Sequence, residues 1–385
     1  MTASTPTGLD TAPPVLPAEL LPADGRFGCG PSKVRPEQVE ALVAGARTVL
    51  GTSHRQAPVK QLVGSLRSGL RELFGLPPGW EVVLGNGGTT VFWDVATFGL
   101  VESRSQHLVF GEFSGKFADA CAAAPHLDEP MVITSPTGDH PLPVADGSVD
   151  LYALTHNETS TGVAMTLSRP AAGGLVAVDA TSGAGGLPWD PSAVDVYYFA
   201  PQKCFAADGG LWVAACSPAA VERIERIAAS DRWRPASLDL GIALSNSRLD
   251  QTYNTPAVGT LLLFEAQVTW MLEQGGLDWC VKRSATSSAH LYGWAEARGW
   301  TTPYVADPAK RSAVVGTIDL DESISAANVS AALRANGIVD TDSYRKLGRN
   351  QLRIGMFPAI DPADVEALTA CLDHLVTHHR DAIAA

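Results

Sequence analysis

The fold of this chain is decided by the stretch Val196-Tyr197-Tyr198-Phe199-Ala200-Pro201-Gln202-Lys203. Its first half is a run of apolar and aromatic residues, which is typical of a strand buried on both faces of a parallel sheet. A turn follows and presents a single lysine. An earlier apolar run, Leu175-Val176-Ala177-Val178-Asp179, ends in an acid. Because parallel strands end at one edge of their sheet, we expect Asp179 and Lys203 to lie at the same edge.

An amine and a carboxylate at that edge are the two groups that pyridoxal phosphate requires of a protein. The lysine amine forms a Schiff base with the coenzyme's aldehyde, and the acid keeps the ring nitrogen protonated so that the ring can take up electrons. A plainer interpretation is a solvated turn lysine and an acid that caps a helix at Thr181. A lone cap would not predict a lysine one strand later, so we interpret Lys203 and Asp179 as a catalytic pair. We expect a partly closed site to lower the pKa of Lys203.

Strand-like runs alternate with helical or loop segments over the first two thirds of the chain. This alternation predicts an α/β fold in which helices cover both faces of a mostly parallel sheet. The expected strands are 82–84, 107–110, 131–134, 151–155, 175–179, 194–199 and 211–216. Helices are expected at 36–50 and 58–76, from Gly87 to Leu100, and after the cap-and-proline pairs Ser217-Pro218, Thr255-Pro256 and Asp361-Pro362.

The C-terminal part of the chain has the pattern of a smaller α+β unit. A long helix over 278–298 leads into a strand at 313–320, a helix at 325–335, a strand at 351–357 and a last helix. Residues 1–25 are rich in Pro, Thr and Ala, and we expect them to form a loose arm. The prediction is therefore an arm at 1–25, a large coenzyme-binding domain at 26–272 and a small C-terminal domain at 273–385.

Composition disfavours several classes of function. The 385 residues carry a net charge of −13, which argues against a nucleic-acid partner or an anionic membrane surface. The six cysteines form no CxxC or CxxxC pair, so we expect no metal site and reduced thiols, as in a cytoplasmic protein. Residues 1–25 contain no Lys or Arg, which disfavours a signal or transit peptide, and we expect no membrane-spanning segment.

A phosphate site is predicted where Gly87-Gly88-Thr89 follows a strand and opens a helix. Backbone N–H groups at a helix N-terminus bind phosphate without needing a cation, and small residues let the ligand approach. The segment is not a Walker A loop, because the pattern GxxxxGK[ST] does not occur, and the chain has no Rossmann fingerprint. A nucleotide-binding α/β enzyme is therefore disfavoured.

Two more residues follow predicted strands and are candidates for contacts with the coenzyme ring. Thr159, in Asn157-Glu158-Thr159, is placed to direct its hydroxyl at the coenzyme's phenolic oxygen, although a plain loop has the same pattern. Phe113, in Gly111-Glu112-Phe113, is a candidate for stacking on a pyridine ring, and a core aromatic is the open alternative.

Local clusters of cations stand out in this acidic chain. They are Ser53-His54-Arg55 and Tyr344-Arg345-Lys346-Leu347-Gly348-Arg349. Arginine presents a fork that suits carboxylate or phosphate, although such a cluster is also typical of a solvated face. Arg353 differs because its neighbours Leu352 and Ile354 predict an apolar strand, where burial without an anion partner is unfavourable.

Together these segments resemble the phosphoserine aminotransferases, a family of fold type I and class V. The likeness extends over residues 26–380, and the combination of motifs is specific although each motif alone is not. The residues that carry it are Phe27-Gly28-Cys29-Gly30-Pro31-Ser32, Ser53-His54-Arg55, Asn157-Glu158-Thr159, Val178-Asp179-Ala180-Thr181-Ser182, Ala200-Pro201-Gln202-Lys203, Tyr253-Asn254-Thr255-Pro256 and the arginine-bearing C-terminal strand.

The resemblance implies a role for each matched position. Lys203 would carry the coenzyme and move a proton at the substrate Cα, and Asp179 would pair with the ring nitrogen. Further coenzyme contacts are implied for Gly88, Thr89, Phe113, Thr159 and Gln202, and for Asn254 and Thr255 from the other subunit of a homodimer with shared active sites. Substrate contacts are implied for Arg353 at the α-carboxylate and for His54, Arg55 and Arg345 at the phosphate, with His54 and Arg55 again coming from the other subunit.

Three positions depart from the usual residues of this family. Thr89 stands where many members have Arg, and Phe113 stands where many have Trp. Tyr344 stands where a His commonly precedes the arginine at 345. Two phosphate ligands are therefore missing or supplied differently, and Lys346 and Arg349 are the candidates to replace them.

The activity that the resemblance implies is transamination between O-phospho-L-serine and 2-oxoglutarate, giving 3-phosphohydroxypyruvate and glutamate. This reaction belongs to serine biosynthesis, and in some bacteria the family also acts on a phosphorylated hydroxythreonine during pyridoxal phosphate synthesis. The nearest alternative is another class V aminotransferase of the serine or alanine–glyoxylate type. A cysteine desulfurase is disfavoured by Gln202, where those enzymes usually have His. A non-catalytic coenzyme carrier would have no reason to keep the arginines.

Overall fold

The computed structural model describes residues 13–385 and builds its large unit around a seven-stranded sheet. The strands of this described part are β1 (Glu81–Asn86), β2 (Ser105–Val109), β3 (Met131–Thr134), β4 (Leu151–Thr155), β5 (Asn157–Glu158), β6 (Val163–Ala164), β7 (Leu175–Asp179), β8 (Val196–Phe199), β9 (Leu211–Cys216), β10 (Thr301–Pro303), β11 (Val315–Leu320) and β12 (Gln351–Gly355). The order across the sheet is β1-β9-β8-β7-β4-β2-β3. Strand β9 runs antiparallel to the other six, which are mutually parallel. The predicted mostly parallel sheet is confirmed.

The interior strands are continuous apolar runs because helices cover both faces of the sheet. Every residue of β4, β7, β8 and β9 is buried, whereas the edge strand β3 alternates between half-buried and exposed residues. Successive side chains of a strand point to opposite faces, and Tyr197 and Tyr198 of β8 accordingly belong to two different hydrophobic cores.

The α-helices of residues 13–385 complete the two layers and the smaller unit. They are α1 (Pro36–Ala46), α2 (Ala57–Leu73), α3 (Gly88–Gly99), α4 (Glu112–Ala123), α5 (Pro218–Ala228), α6 (Leu240–Ser247), α7 (Val258–Gln274), α8 (Gly276–Glu296), α9 (Ala326–Ala335) and α10 (Pro362–His378). Leu66 of α2 and Phe264 of α7 pack on the Tyr197 face, while Phe92 of α3 and Phe117 of α4 pack on the Tyr198 face. None of these helices combines the length and the apolar composition that crossing a membrane would take.

The smaller unit is an antiparallel sheet, β10-β11-β12, with its own hydrophobic core. Ile318 of β11 and Ile354 of β12 pack there with Leu291 of α8, Leu333 of α9 and Leu368 of α10. The predicted boundary at 272/273 falls in the last turn of α7, and the division into domains stays a prediction.

We expected residues 1–25 to form a loose arm, but residues 13–25, which the structure describes, pack against the smaller unit. Residues 1–12 lie outside the described residues. Leu16 is buried in the core of the smaller unit, with Leu20 and Leu21 packed against it. The backbone N–H of Leu16 donates to Asn336 Oδ1 at 2.9 Å. Apolar side chains therefore fasten residues 13–25 to the smaller unit.

Two of the three predicted cap-and-proline starts are confirmed and one is wrong. Ser217 Oγ accepts from the N–H of Ala220 and Asp361 Oδ1 accepts from the N–H of Ala363, each next to a proline at the first helical position. Helix α7, however, begins at Val258 rather than after Thr255. The reason is that the Asn86 side-chain amide donates to the carbonyl of Thr255 at 3.2 Å and keeps this segment irregular.

Candidate active site

A cavity of about 430 Å³ opens at the carboxyl ends of the parallel strands, which is a size typical of small-molecule sites. All seven residues that we expected to contact a coenzyme from within one chain line it. The lining residues are Gly30, Pro31, Gly87, Gly88, Thr89, Thr90, Trp93, Phe113, Thr155, Asn157, Thr159, Asp179, Thr181, Gln202, Lys203, Gly209 and Gly210.

Lys203 is a buried amine at the floor of this cavity, just after β8. Its Nζ donates a hydrogen bond to the carbonyl oxygen of Cys29 at 2.6 Å. Its own carbonyl accepts from Ser32 Oγ at 2.6 Å, which holds the turn against the N-terminal segment. Burial lowers the pKa of Lys203 to about 8 because the charged form loses its hydration. The predicted lowering is confirmed, and the amine is closer to the nucleophilic neutral form than a surface lysine.

Asp179 ends β7 beside Lys203 and is buried among hydrogen-bond donors. Its Oδ1 accepts from the backbone N–H of Thr181 at 2.9 Å and from Thr181 Oγ1 at 2.6 Å. Its Oδ2 accepts from the indole Nε1 of Trp93 at 3.2 Å. Burial raises the pKa of Asp179 to about 6 although these donors oppose the shift. Because Asp179 accepts from the backbone N–H of Thr181, it also caps the turn there, as the alternative interpretation predicted.

The N-terminus of helix α3 forms another wall of the cavity. Gly87 has φ +110° and Gly88 has φ +74°, which other residues rarely adopt. The helix starts at Gly88, so its first backbone N–H groups have no partner within the helix and point at the cavity end. Thr89 Oγ1 lies 2.8 Å from Thr181 Oγ1, which links this helix to the turn after Asp179.

Thr159 and Asn157 form a polar edge opposite the helix. Thr159 Oγ1 donates to Ser182 Oγ at 2.7 Å, and Asn157 Nδ2 donates to the same oxygen at 2.8 Å. Ser182 Oγ in turn donates to the carbonyl of Asn157 at 3.1 Å. Ser182 therefore orients both side chains toward the cavity.

Phe113 lies in the first turn of α4, and the carboxylate of Glu158 fixes this turn. Glu158 Oε2 accepts from the N–H of Phe113 at 3.1 Å and from the N–H of Ser114 at 2.9 Å, while Oε1 accepts from Ser160 Oγ at 2.7 Å. The Phe113 ring centroid lies 5.9 Å from Lys203 Nζ. A buried carboxylate at a helix N-terminus thus positions the aromatic ring above the lysine.

Arg353 extends from β12 of the smaller unit toward the same region. Its Nη1 donates to the carbonyl of Thr159 at 3.3 Å, and its guanidinium carbon lies 5.3 Å from the ring centroid of Tyr344. Its buried Nε has no hydrogen-bond partner in the described chain. This leaves donor capacity on a half-buried cation, as an anion-binding residue requires.

Four other predicted residues lie outside the cavity lining: the exposed Arg55, Asn254 and Thr255 and the half-buried His54. His54 Nδ1 lies 3.3 Å from Thr255 Oγ1. Arg55 donates to Gln251 Oε1 at 2.6 Å. Asn254 Oδ1 accepts from the side-chain amide of Asn86 at 2.8 Å, next to the turn at Gly87. None of these four residues is part of the lining around Lys203, although Asn254 lies next to the cavity wall at Gly87.

The three cations of the 344–349 segment have different surroundings. Lys346 forms an ion pair with Glu112, and Arg349 forms one with Asp319 at 2.5 Å. Arg345 is exposed and has no ion-pair partner among residues 13–385. Of the three, Arg345 is therefore the cation free to receive an anion, whereas Lys346 and Arg349 would first have to release a carboxylate.

The cavity fits pyridoxal phosphate on observations of the residues themselves. It places an amine with a lowered pKa and a carboxylate on one floor, a helix N-terminus at one end and an aromatic ring above. Buried Oε1 of Gln202 and buried Oδ1 of Asn157, both in the lining, lack hydrogen-bond partners in residues 13–385 and await polar contacts. No cluster of His, Cys, Asp and Glu in that same part of the chain could hold a metal ion.

Sequence reasoning missed Trp93, Ser182 and the Cys29-Gly30 backbone as parts of the site. Trp93 had a usable signal because it follows Thr89 by four residues, which places both on one face of α3. The contact between Lys203 and Cys29 had no such signal, because it joins residues far apart in the chain through a main-chain carbonyl.

Comparisons with known proteins agree with this geometry. A family model described as aminotransferase class V matches residues 143–342. The putative phosphoserine aminotransferase of Mycobacterium avium is 64% identical over 363 residues, which cover 94% of this chain and 97% of the relative. The phosphoserine aminotransferase of Rhodococcus opacus is 61% identical over 369 residues, which cover 95% of this chain and 99% of the relative.

A solved structure has the same fold at low sequence identity. The phosphoserine aminotransferase of Cytophaga hutchinsonii superposes with a TM-score of 0.85 at 22% identity, over 91% of this chain and 99% of that one. At this identity the superposition shows the shared fold alone.

Proposed function

This chain belongs to the phosphoserine aminotransferase family of class V aminotransferases, and on that basis we propose that it exchanges an amino group between O-phospho-L-serine and 2-oxoglutarate. The products are 3-phosphohydroxypyruvate and glutamate. The protein is an aminotransferase, and its coenzyme is pyridoxal phosphate. One observation carries the proposal: Lys203 and Asp179 line a single cavity, and Arg353 beside it keeps unused donor capacity.

The residues around the coenzyme site have distinct tasks in this proposal. Bound pyridoxal phosphate supplies the electron sink for breaking the Cα–H bond of the substrate. Lys203 would hold the coenzyme covalently and would move the proton at the substrate Cα, a task suited to an amine whose pKa is about 8. Asp179 would pair with the ring nitrogen, and Phe113 would stack on the ring. Thr159 would contact the ring oxygen with its hydroxyl in place of its hydrogen bond to Ser182 Oγ.

The phosphate of the coenzyme is assigned to the N-terminus of α3. Gly88 and Thr89 offer backbone N–H groups there, and the absence of a Cβ on Gly88 allows close approach. Gln202 lines the same cavity, so its side-chain amide is placed to add a contact to the phosphate. An amide oxygen accepts only, so Gln202 would contact the phosphate through its Nε2.

The substrate contacts follow from the distribution of cations. Arg353 binds the α-carboxylate through the donors that it does not share with Thr159. Arg345 receives the phosphate of phosphoserine or, in the other half of the reaction, the distal carboxylate of 2-oxoglutarate. Both anions suit a guanidinium fork, so one pocket serves both substrates in turn.

A homodimer with shared active sites accounts for the position of His54, Arg55, Asn254 and Thr255 outside the cavity lining. In the proposal, Asn254 and Thr255 reach the coenzyme phosphate of the other subunit, and His54 and Arg55 reach the substrate phosphate there. The support is that none of the four lines the cavity of its own chain, while His54 contacts Thr255 and Asn254 lies beside the turn at Gly87.

Cell location, pathway and domain division belong to the same proposal. All six cysteines are free and buried, which suits a reducing compartment and supports the cytoplasm. The place of the reaction is serine biosynthesis, with the phosphohydroxythreonine step of pyridoxal phosphate synthesis as a second use. The large domain at 26–272 carries the coenzyme, and the small domain at 273–385 supplies Arg345 and Arg353.

The first test compares Lys203→Ala with the exposed-lysine control Lys282→Ala. We expect Lys203→Ala to lose turnover of phosphoserine with 2-oxoglutarate and to lose the visible absorption of covalently bound coenzyme. Lys282→Ala should retain both because Lys282 is exposed and remote from the cavity. Retention of turnover and absorption in Lys203→Ala would refute the assignment.

The second test separates phosphoserine from unphosphorylated substrates. Replacing Arg55 or Arg345 by Gln should lower kcat/KM for phosphoserine by about 10- to 100-fold, the effect of one charge-assisted hydrogen bond, and change that for serine far less. Arg380→Gln, at an exposed arginine in the C-terminal segment, is the control. An equal loss of kcat/KM for phosphoserine and serine would show that these arginines do not bind the substrate phosphate. A wild-type preference for serine or alanine with glyoxylate would favour the other class V activity.

A further inference from the structure

We propose that Trp93 and the hydroxyl pair of Thr89 and Thr181 are positioning residues that keep the Asp179 carboxylate ionised and aim one Oδ2 lone pair at the ring nitrogen of the coenzyme. The inference deepens the proposed function and rests on the role assigned there to Asp179. Its basis is the complete set of hydrogen bonds around one carboxylate, together with the helix from which two of the three residues come.

The two carboxylate oxygens of Asp179 accept different numbers of hydrogen bonds. Oδ1 accepts two hydrogen bonds from Thr181, at 2.9 Å from the backbone N–H and 2.6 Å from Oγ1. Oδ2 accepts one, from Trp93 Nε1 at 3.2 Å. A carboxylate oxygen accepts two hydrogen bonds readily, so Oδ1 is saturated and Oδ2 retains one position. Asp179 lines the cavity, so the retained position serves a donor that enters there.

The Thr89 hydroxyl strengthens this arrangement through its contact with the Thr181 hydroxyl. Because Thr181 Oγ1 spends its only proton on Asp179, the 2.8 Å contact with Thr89 Oγ1 requires Thr89 to donate. Donation from Thr89 polarises the Thr181 hydroxyl and strengthens its bond to the carboxylate. The hydroxyls of Thr89 and Thr181 and the carboxylate of Asp179 therefore form one chain of hydrogen bonds, in which each hydroxyl donates toward Asp179.

Helix α3 supplies both Trp93 and Thr89, and its N-terminus is the assigned phosphate site. One rigid helix therefore sets the position of the phosphate end and of the ring-nitrogen partner at the same time. The residue after Gly87-Gly88 in this chain is Thr89, whose side chain contacts Thr181 and so serves the carboxylate rather than adding a cation.

Other ionisable groups face Asp179 from neighbouring elements and must be held constant in a test. Lys203 follows β8, Tyr197 and Tyr198 lie in β8, and Glu158 lies in β5. Burial raises the pKa of Asp179 to about 6, and each donor that is removed raises the pKa further because donors favour the charged form. An ionised Asp179 favours binding of a protonated ring, so a higher pKa weakens coenzyme binding at low pH and leaves it unchanged at high pH.

The experiment measures the dissociation constant of pyridoxal phosphate for the apoenzyme between pH 5.5 and 8.5. The variants are Trp93→Phe, Thr181→Val and Thr89→Val, with Asp179→Asn as the reference and Trp212→Phe as a matched control at another buried tryptophan of the same core. We expect Trp93→Phe to bind the coenzyme about tenfold more weakly than wild type at pH 5.5 and within about twofold at pH 8.5. Thr181→Val should show the same pattern, Thr89→Val a smaller one, and Trp212→Phe none.

The outcomes distinguish the inference from the proposed function. If Asp179→Asn loses affinity while Trp93→Phe and Thr181→Val follow the wild-type pH profile, the inference is overturned and the role of Asp179 stands. If Asp179→Asn itself binds coenzyme with the wild-type profile, the proposed role of Asp179 fails. A uniform loss at every pH in Trp93→Phe identifies a packing role only and overturns the inference for that residue. Should Trp93→Phe not fold, the two threonine variants decide the question by the same profile.

Discussion

Gly30 and Lys203 lie so close that a methyl group on the glycine would overlap the lysine amine and lie 2.7 Å from the lysine Cδ. Gly30 also has φ +136°, a conformation that L side chains rarely adopt. The neighbouring carbonyl of Cys29 accepts the hydrogen bond of Lys203 Nζ. The N-terminal segment therefore forms part of the lysine site, through backbone atoms and an absent side chain.

Gly30→Ala should impair coenzyme attachment, because the added methyl group occupies the space of Lys203. The measurement is the visible absorption of covalently bound coenzyme in the purified variant. Gly337→Ala is the matched control, since Gly337 also has a positive φ (+81°) but its added methyl would meet nothing within 4 Å in residues 13–385. The control should lose about 1 kcal/mol of unfolding free energy and keep its absorption. Wild-type absorption in Gly30→Ala would contradict the steric account.

Lys203→Met should change how the stability of the apoenzyme depends on pH. The folded pKa of about 8 lies below the ordinary lysine pKa of 10.5, so burial penalises the charged amine at pH 7, and the penalty disappears as the pH rises from about 8 to 10.5. Relative to Lys203→Met, the wild-type apoenzyme should therefore gain up to about 3 kcal/mol over this window. Urea unfolding of both apoenzymes at pH 7 and pH 10 measures the difference. An unchanged difference between the two pH values would show that the lysine is not buried as described.

Glu158→Gln should destabilise the protein and displace Phe113. The two carboxylate oxygens of Glu158 accept from backbone and hydroxyl donors only, so an amide NH₂ would face a donor on one side. We expect a loss of about 2 kcal/mol in unfolding free energy. Glu222→Gln, where the side chain is 79% exposed, is the control and should change little. Equal stability of the two variants, measured by urea unfolding, would disprove the account of the α4 N-terminus.

Mixing two impaired variants tests whether Arg55 acts across a subunit interface. In a mixed dimer of Lys203→Ala and Arg55→Ala chains, one site would combine an intact Lys203 with the intact Arg55 of the other subunit. A purified mixed dimer should therefore recover about half of the wild-type turnover of phosphoserine. Each parent homodimer should remain impaired. Failure to recover activity in a mixed dimer of confirmed composition would place Arg55 in its own chain's site or outside the reaction.

The local sequence pattern was enough to predict those strands and helix starts that are determined by residues close to them in the sequence. The apolar runs of β7 and β8 predicted buried parallel strands, and their common edge predicted that Asp179 and Lys203 would meet in one cavity. The caps at Ser217 and Asp361 were equally readable, because a side-chain oxygen next to a proline acts within one turn. The start of α7 was misread at Thr255, because a distant side chain, Asn86, determines that segment.

The amino-acid sequence alone determined the α/β fold, the family and the meeting of Asp179 and Lys203 in one cavity, since these follow from strand periodicity and from residue types at strand ends. Only the tertiary structure decided what surrounds each group: Trp93 on Asp179, Glu158 beneath Phe113, and the carbonyl of Cys29 on Lys203. The physical reason is that burial and donor placement, which lower the pKa of Lys203 and raise that of Asp179, depend on which distant segments pack together. No local pattern in the chain encodes that packing.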